Sequence, residues 1–189
     1  MRSDLWLGFV ACVACAACDN TTPPADAGPC WPPANAVPGG QVTIGTGDIS
    51  WQAMPAMLAI VANGSQSDPF LQIHSRIRGM PPGNANDPFD PANPKTLVSA
   101  TIPDLGITLG VSCPATIGYV TSPDDPTSFD LLHSLRIGIG TQPIASVVGH
   151  QATLTVEVAG SNGLLAMDSK TVMLIQMPAP VDAGVVDAP

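Results

Sequence analysis

The sequence predicts an all-β protein, a single antiparallel β-sandwich, and three observations support this. Apolar residues recur with a period of two in short segments, which is typical of strands. The 21 Pro and 18 Gly residues separate these segments with turns. Only one Glu and six Lys or Arg are present to cover the exposed faces of helices, so we expect any helix to be short.

The clearest predicted strand covers residues 69–80. Its apolar residues share one parity and its polar residues the other, so one face is expected in the core and the other in water. The apolar set is Leu71, Ile73 and Ile77, and the polar set is Gln72, His74, Arg76 and Arg78.

Eight further segments complete a set of nine predicted strands. In residues 151–159, Leu154, Val156 and Val158 are expected to point inward. Because only 4% of the chain is aromatic while 45% is hydrophobic, we expect an aliphatic core. The other seven segments are 41–46, 57–62, 95–102, 106–111, 116–121, 131–139 and 171–177.

The amino-terminal segment predicts export. Residues 5–17 are thirteen uncharged, mostly apolar residues, whereas a membrane-spanning helix needs about 20. This length is typical of the core of a secretory signal peptide. Ala16 and Ala17 directly before Cys18 resemble the lipobox of bacterial lipoproteins, which implies a lipid on Cys18. Cys15 is the alternative acylated residue, and cleavage without lipid is a third alternative.

The cysteine count is consistent with a lipid on Cys18. There are five cysteines, and an odd number leaves one unpaired in an oxidising compartment. If Cys12 and Cys15 leave with the signal and Cys18 is acylated, Cys30 and Cys113 remain. We expect a disulfide between them, and two buried thiols are the alternative.

The composition of the ends predicts four parts of the chain. Residues 1–17 form a lipoprotein signal peptide, 18–29 a Pro/Ala-rich tether, 30–178 the β-sandwich domain and 179–189 a disordered tail. The net charge is −9 and the few cations are scattered. This argues against nucleic acid and against an anionic membrane surface as electrostatic partners.

No catalytic motif and no cofactor-binding motif occurs in the sequence, so neither a catalytic residue nor a cofactor is predicted. His74, expected to be exposed beside Arg76 and Arg78, could form an anion-binding stripe on one sheet face. A solvated face without a ligand is the simpler alternative. We expect His133 to lie in the core and His150 in a turn.

Two metal sites are weighed and neither is predicted. His74, Cys113 and His133 occur in the order of a cupredoxin copper site, but twenty residues separate Cys113 from His133 where a short loop is needed. Asp and Asn residues in 84–90 and 123–126 offer oxygen ligands for calcium. Asp next to Pro is also ordinary turn material, which is the favoured interpretation.

Three segments, 42–47, 70–78 and 150–163, resemble an uncharacterised group of secreted lipoproteins of myxobacterial type. Members share a GTG segment, a strand running into His and Arg, and a late V-x-V-x-D-x-x-G segment, which here lacks its Asp. The resemblance implies an Ig-like β-sandwich and no known activity, so no functional residue is carried over from it.

Taken together, these patterns predict a lipid-anchored protein of the bacterial cell envelope that acts as a binding, adhesion or structural module. Its expected partners are the membrane, through the lipid, and an unknown envelope protein or glycan. A hydrolase of envelope polymers with an unrecognised site and a metal-binding carrier are the alternatives. The sequence does not distinguish the inner membrane from the outer one.

Overall fold

Alternating apolar residues build two β-sheets that pack face to face around one core. The structure is a computed structural model that describes residues 31, 33, 35–62, 68–110 and 113–177. Within these ranges, no helix is long and apolar enough to cross a membrane. The strands are β1 (Val37–Pro38), β2 (Gln41–Thr46), β3 (Gln52–Ala53), β4 (Met57–Ile60), β5 (Phe70–Arg78), β6 (Lys95–Ile102), β7 (Ile107–Gly110), β8 (Ala115–Thr116), β9 (Tyr119–Thr121), β10 (Ser128–Leu131), β11 (Leu135–Gly138), β12 (Gln151–Ala159) and β13 (Leu164–Gln176).

Sheet A has seven strands in the order β1-β13-β12-β6-β7, with β8 on the edge of β6 and β4 on the edge of β13. Its pairs are antiparallel except that β1 and β4 run parallel to the two ends of β13. A short helix α1 (Ile144–Val147) leads into β12, and a 3-10 turn (Pro103–Leu105) joins β6 to β7.

Sheet B has six strands in the order β3-β2-β5-β10-β9, with β11 also paired to β5. β10 and β11 lie on the same side of β5 and run in the same direction. Asp130 opposes Arg76 and Leu135 opposes Ile73. The chain therefore advances five residues from β10 to β11 while β5 advances three. The two extra residues form a bulge, which bends the strand and ends the regular pairing.

The core confirms the predicted parities. Leu71, Ile73 and Ile77 of β5 and Leu154, Val156 and Val158 of β12 are all fully buried, and nearly all other core residues are aliphatic. Phe70 and Tyr119 are the buried aromatic residues, and Tyr119 lies in the centre of the core. The Tyr119 side chain also carries a polar group. Its hydroxyl is hydrogen-bonded to the hydroxyls of Ser75 in sheet B and Thr96 in sheet A, each at 2.9 Å, which links the sheets through the core. Burial raises the pKa of Tyr119 to about 12.

The predicted all-β sandwich is confirmed, while several predicted strand limits are wrong. The segment 116–121 is two strands, because Gly118 packs against the backbone of Asn84 and interrupts the pairing. The segment 131–139 begins its strand only at Leu135, after the bulge. β13 begins at Leu164 and not at Thr171. The prediction missed the first part of this strand because residues 167–171 are largely exposed and lack the apolar alternation by which a strand is recognised.

Candidate functional site

The outer face of sheet B carries a cluster of charged side chains centred on Arg76. Arg76 and Asp130 are direct partners across β5 and β10, so both side chains point outward at the same place. The guanidinium donates from Nε to Asp130 Oδ1 at 2.7 Å and from Nη2 to Asp130 Oδ2 at 3.0 Å. It also donates to both carboxylate oxygens of Asp124, at 2.6 and 3.2 Å. Arg76 is thereby fixed between two carboxylates, a geometry suited to its planar fork.

Ser122 completes the cluster from the loop after β9. Its hydroxyl lies 2.6 Å from Asp124 Oδ1 and 2.9 Å from Asp130 Oδ2, so it can donate to either carboxylate. Asp130 is only 3% exposed, and its charge is compensated by Arg76 and Ser122. The bond from Ser122 and the bonds from Arg76 hold the pKa of Asp124 below its usual value. The hydrogen bond with Asp130 raises the pKa of Arg76 further above neutrality.

Trp51 covers part of this face. Its ring centroid lies 4.3 Å from the Arg76 guanidinium carbon, a cation–π contact. The indole approaches the sheet at Gly45, where a Cβ atom would overlap Trp51 Nε1 and the carbonyl oxygen of Gln52. Only a glycine allows this approach. Trp51 Nε1 is buried and has no hydrogen-bond partner among the described residues.

His74 lies two residues before Arg76 on the same face, and the expectation that it is exposed is wrong. It is fully buried, and neither ring nitrogen has a hydrogen-bond partner among the described residues. Its neighbour across the sheet is Gly45, the residue that Trp51 covers. Burial lowers the pKa of His74 more strongly than the nearby Asp130 carboxylate raises it, so the ring is neutral at pH 7. His74 therefore cannot act as the cation of a surface stripe.

A shallow cleft of about 200 Å³ opens beside Trp51. Arg78 is the exposed cation in it, and its Nη2 donates to the Thr127 hydroxyl. Asp125 accepts bonds from Ser128 Oγ and from the amide and hydroxyl of Thr127, which hold its pKa well below the usual range. The cleft is lined by Gln41, Thr43, Trp51, Arg76, Ile77, Arg78, Asp125 and Ser128.

Two other predicted histidine positions have different outcomes. His133 is exposed in the bulge between β10 and β11, so its predicted core position is wrong, because the two extra residues break the parity on which that prediction depended. His150 lies directly before β12, as predicted, with Nδ1 3.6 Å from Asp104 Oδ2.

The two weighed calcium loops use their polar side chains for turns. In residues 84–93, side-chain oxygens of Asn84, Asp87 and Asp90 accept amide bonds from residues two positions later. Asp124 and Asp125 are engaged as described above. Within the described ranges, no group of three His, Cys, Asp or Glu side chains is placed to hold a metal ion.

The remaining predicted site residues concern the ends of the chain. Cys113 lies at an exposed position between β7 and β8. Cys18, Cys30, the predicted signal peptide (1–17), the predicted tether (18–29) and the predicted tail (179–189) all lie outside the described residues. Lipidation and the disulfide therefore stay predictions.

Sequence reasoning found Arg76 and Arg78 but missed Trp51, Ser122, Asp124 and Asp130 as their surroundings. The sequence predicts Asp124 as a turn residue, and Asp130 lies in β10, which overlaps the predicted strands only at Leu131. A pairing of β5 with β10 would have revealed the Arg76–Asp130 pair, but no local pattern in the sequence indicates that register. Comparison of the chain with known protein families, curated proteins and solved structures gives no match.

Proposed function

We propose that this protein is a lipid-anchored binding module of the bacterial cell envelope and that the cleft beside Trp51 binds an envelope glycan. The observation that carries the proposal is that two neighbouring arginines on this face have different surroundings. Arg76 is fixed by two carboxylates, whereas Arg78 is exposed in the cleft beside Gln41 and Thr43, which are also exposed. Ordered polar groups around one available cation suit a ligand rich in hydroxyls.

The chemistry of the cleft favours a glycan over a simple anion. Arg78 and Gln41 supply N–H donors, Thr43 supplies a hydroxyl, and Asp125 adds a carboxylate that would repel a small anion. Sugar hydroxyls both donate and accept hydrogen bonds, so they match a mixed set of this kind. Trp51 contributes an apolar wall beside these polar groups.

The same cleft is poorly suited to hydrolysis. Asp125 lies 2.6 Å from the Ser128 hydroxyl, but the bonds that lower its pKa also make it a weak general base at neutral pH. His74, which could serve as a base, is enclosed beneath the surface. These observations favour binding over the hydrolase alternative.

Glycan binding is tested with the purified mature protein and isolated bacterial peptidoglycan and lipopolysaccharide, by co-sedimentation and calorimetry. We expect Arg78→Ala to weaken binding about tenfold, which corresponds to the loss of one charge-assisted contact. Arg136→Ala is the matched control, since Arg136 is exposed on the same sheet and stacks on Phe70 away from the cleft. Equal effects of the two substitutions, or no binding by the unsubstituted protein, would contradict the proposal.

The proposed anchor and disulfide are tested by one measurement, the intact mass of the protein from membranes with and without reduction. We expect cleavage before Cys18, a mass increase for acyl chains, and a bridge between Cys30 and Cys113. Trp31 Nε1 donates to Glu157 at 2.8 Å, which holds the residue after Cys30 on β12. β6 pairs with β12 and with both strands that flank Cys113, so Trp31 and Cys113 are attached to the same sheet.

A further inference from the structure

The loop of residues 81–94 between β5 and β6, here called the Phe89 loop, presents an aromatic side chain to water. Phe89 is 90% exposed, more than any other large hydrophobic residue that the structure describes. Pro88 and Pro91 flank it, and an open cleft of about 650 Å³ lies beneath, reaching Lys95 and Thr116. Single exposed apolar residues are common on proteins, so exposure by itself indicates no partner.

The second observation is that the loop is held rigidly in this form. Backbone amides at residues 87, 90 and 93 donate to carbonyls three positions earlier, at 3.0–3.2 Å. Buried Asn93 ties the loop together, since its Nδ2 donates to Asp87 O at 2.7 Å and its Oδ1 accepts from the Asn84 amide at 2.6 Å. A hydrogen-bonded loop that keeps Phe89 in water is a preorganised contact surface.

The third observation is where the chain enters the domain. Trp31 is fixed on Glu157 near the end of β12, and Pro33 lines a cleft of about 220 Å³ together with Pro91, Asn93 and Lys95. Lys95 also lines the cleft under Phe89. The entry point and the Phe89 loop therefore lie at the same end of the sandwich.

We propose that Phe89 inserts into the lipid surface next to the anchor, so that this end of the sandwich faces the membrane. The proposal rests on the lipid at Cys18. Twelve residues separate Cys18 from Trp31 and can span at most about 40 Å, so the anchor confines the entry end near the bilayer. One aromatic side chain binds a membrane weakly by itself, but beside a lipid anchor it acts as a second attachment and sets the orientation.

The charged residues at this end of the sandwich indicate which lipid headgroups it should contact. Exposed Asp87 and half-buried Asp90 flank Phe89 closely in sequence, and Lys95 is the nearby cation in the cleft. Net negative charge beside the aromatic favours zwitterionic headgroups over anionic ones. Contact is therefore expected to weaken as anionic lipid is added to the vesicle.

The test uses the mature acylated protein in phosphatidylcholine vesicles whose acyl chains carry bromine, a quencher of tryptophan. We expect the added tryptophan in Phe89→Trp to shift its emission to shorter wavelength and to lose intensity with brominated lipid. Ile49→Trp is the matched control, because Ile49 is 75% exposed in the β2–β3 turn at the opposite end. Its added emission should stay at the wavelength of water-exposed tryptophan and unquenched.

Flotation of the vesicles separates the two proposals. Protein that floats with the lipid while Phe89→Trp remains unquenched overturns the membrane contact and leaves the anchor standing. Protein that stays in the aqueous fraction overturns both. Equal quenching of Phe89→Trp and Ile49→Trp would show that the domain has no fixed orientation, which also overturns the contact.

Discussion

His74 and Arg76 stand two residues apart on the same face of β5, yet their surroundings are opposite. Arg76 makes four hydrogen bonds to two carboxylates and keeps part of its surface in water. His74 is fully buried and has no hydrogen-bond partner within the described ranges. The arginine is held in its charged form and the histidine in its neutral form.

The difference comes from what lies beside each residue. The partner of Arg76 on β10 is an aspartate, and the long side chain reaches a second carboxylate in the neighbouring loop. The partner of His74 on β2 is a glycine, which admits an indole over the sheet and contributes no polar side chain. The position of a residue along a strand thus determines the face of the sheet on which its side chain lies. The residues on neighbouring strands determine whether that side chain is exposed to water.

The largest expected effect is the loss of the Arg76–Asp130 pair. Arg76→Met leaves the buried Asp130 carboxylate with Ser122 as its remaining side-chain donor. We expect the free energy of unfolding in urea to fall by about 3 kcal/mol, as for a broken buried ion pair. Arg136→Met, in an exposed arginine on the same sheet, should change it by less than about 1 kcal/mol.

A double substitution makes this first prediction sharper. Arg76→Met with Asp130→Leu removes both charges and should recover much of the lost stability, since no buried charge is then left unpaired. If the double variant loses as much stability as the two single variants added together, the unpaired charge does not cause the loss in Arg76→Met.

The next largest effect is expected at Gly45, which lets Trp51 lie over this face. Gly45→Ala should lower the free energy of unfolding by about 2 kcal/mol, because the added Cβ overlaps the indole and a backbone carbonyl. Gly138→Ala is the control, as Gly138 lies in β11 with open space around it and without a positive φ. A shift of tryptophan emission to longer wavelength in Gly45→Ala alone would report displacement of Trp51.

Substitution of His74, in contrast, should raise the free energy of unfolding. His74→Phe keeps a planar ring and removes two buried nitrogens without partners, so we expect a gain of about 1 kcal/mol in thermal or urea unfolding. His133→Phe, at an exposed position, should produce no such gain. Destabilisation by His74→Phe would mean that the imidazole makes a polar interaction that stabilises the fold.

The smallest effect is a dependence of stability on pH. Burial lowers the pKa of His74 in the folded state below its ordinary 6.5, so below pH 6.5 the unfolded chain binds the proton more readily. The free energy of unfolding should therefore fall between pH 6.5 and 5.5, by at most about 1 kcal/mol for a single histidine. Asp124 and Asp125, whose pKa values are also lowered, affect stability only at more acidic pH. His74→Phe should flatten this part of the curve, and an unchanged slope would contradict the assignment to His74.

The all-β class, the aliphatic core and most strand positions could be predicted from the amino-acid sequence. These properties depend on local alternation, which is visible because one side of each strand is dry and the other is wetter. β2, β6 and β12 agree with the predicted limits to the residue for this reason. β13 does not, because its exposed central part lacks a dry face.

The environment of the candidate site, in contrast, depends on contacts between distant parts of the chain. Arg76 and Asp130 are 54 positions apart, and their meeting depends on the register between β5 and β10 and on the bulge that follows it. The neighbour of His74 across the sheet, Gly45, and the Trp51 side chain that covers this glycine come from another hairpin. Strand alternation is a local property, whereas the dielectric surroundings and partners of a charge come from residues distant in the chain, and that is why the composition of this face was predictable and its chemistry was not.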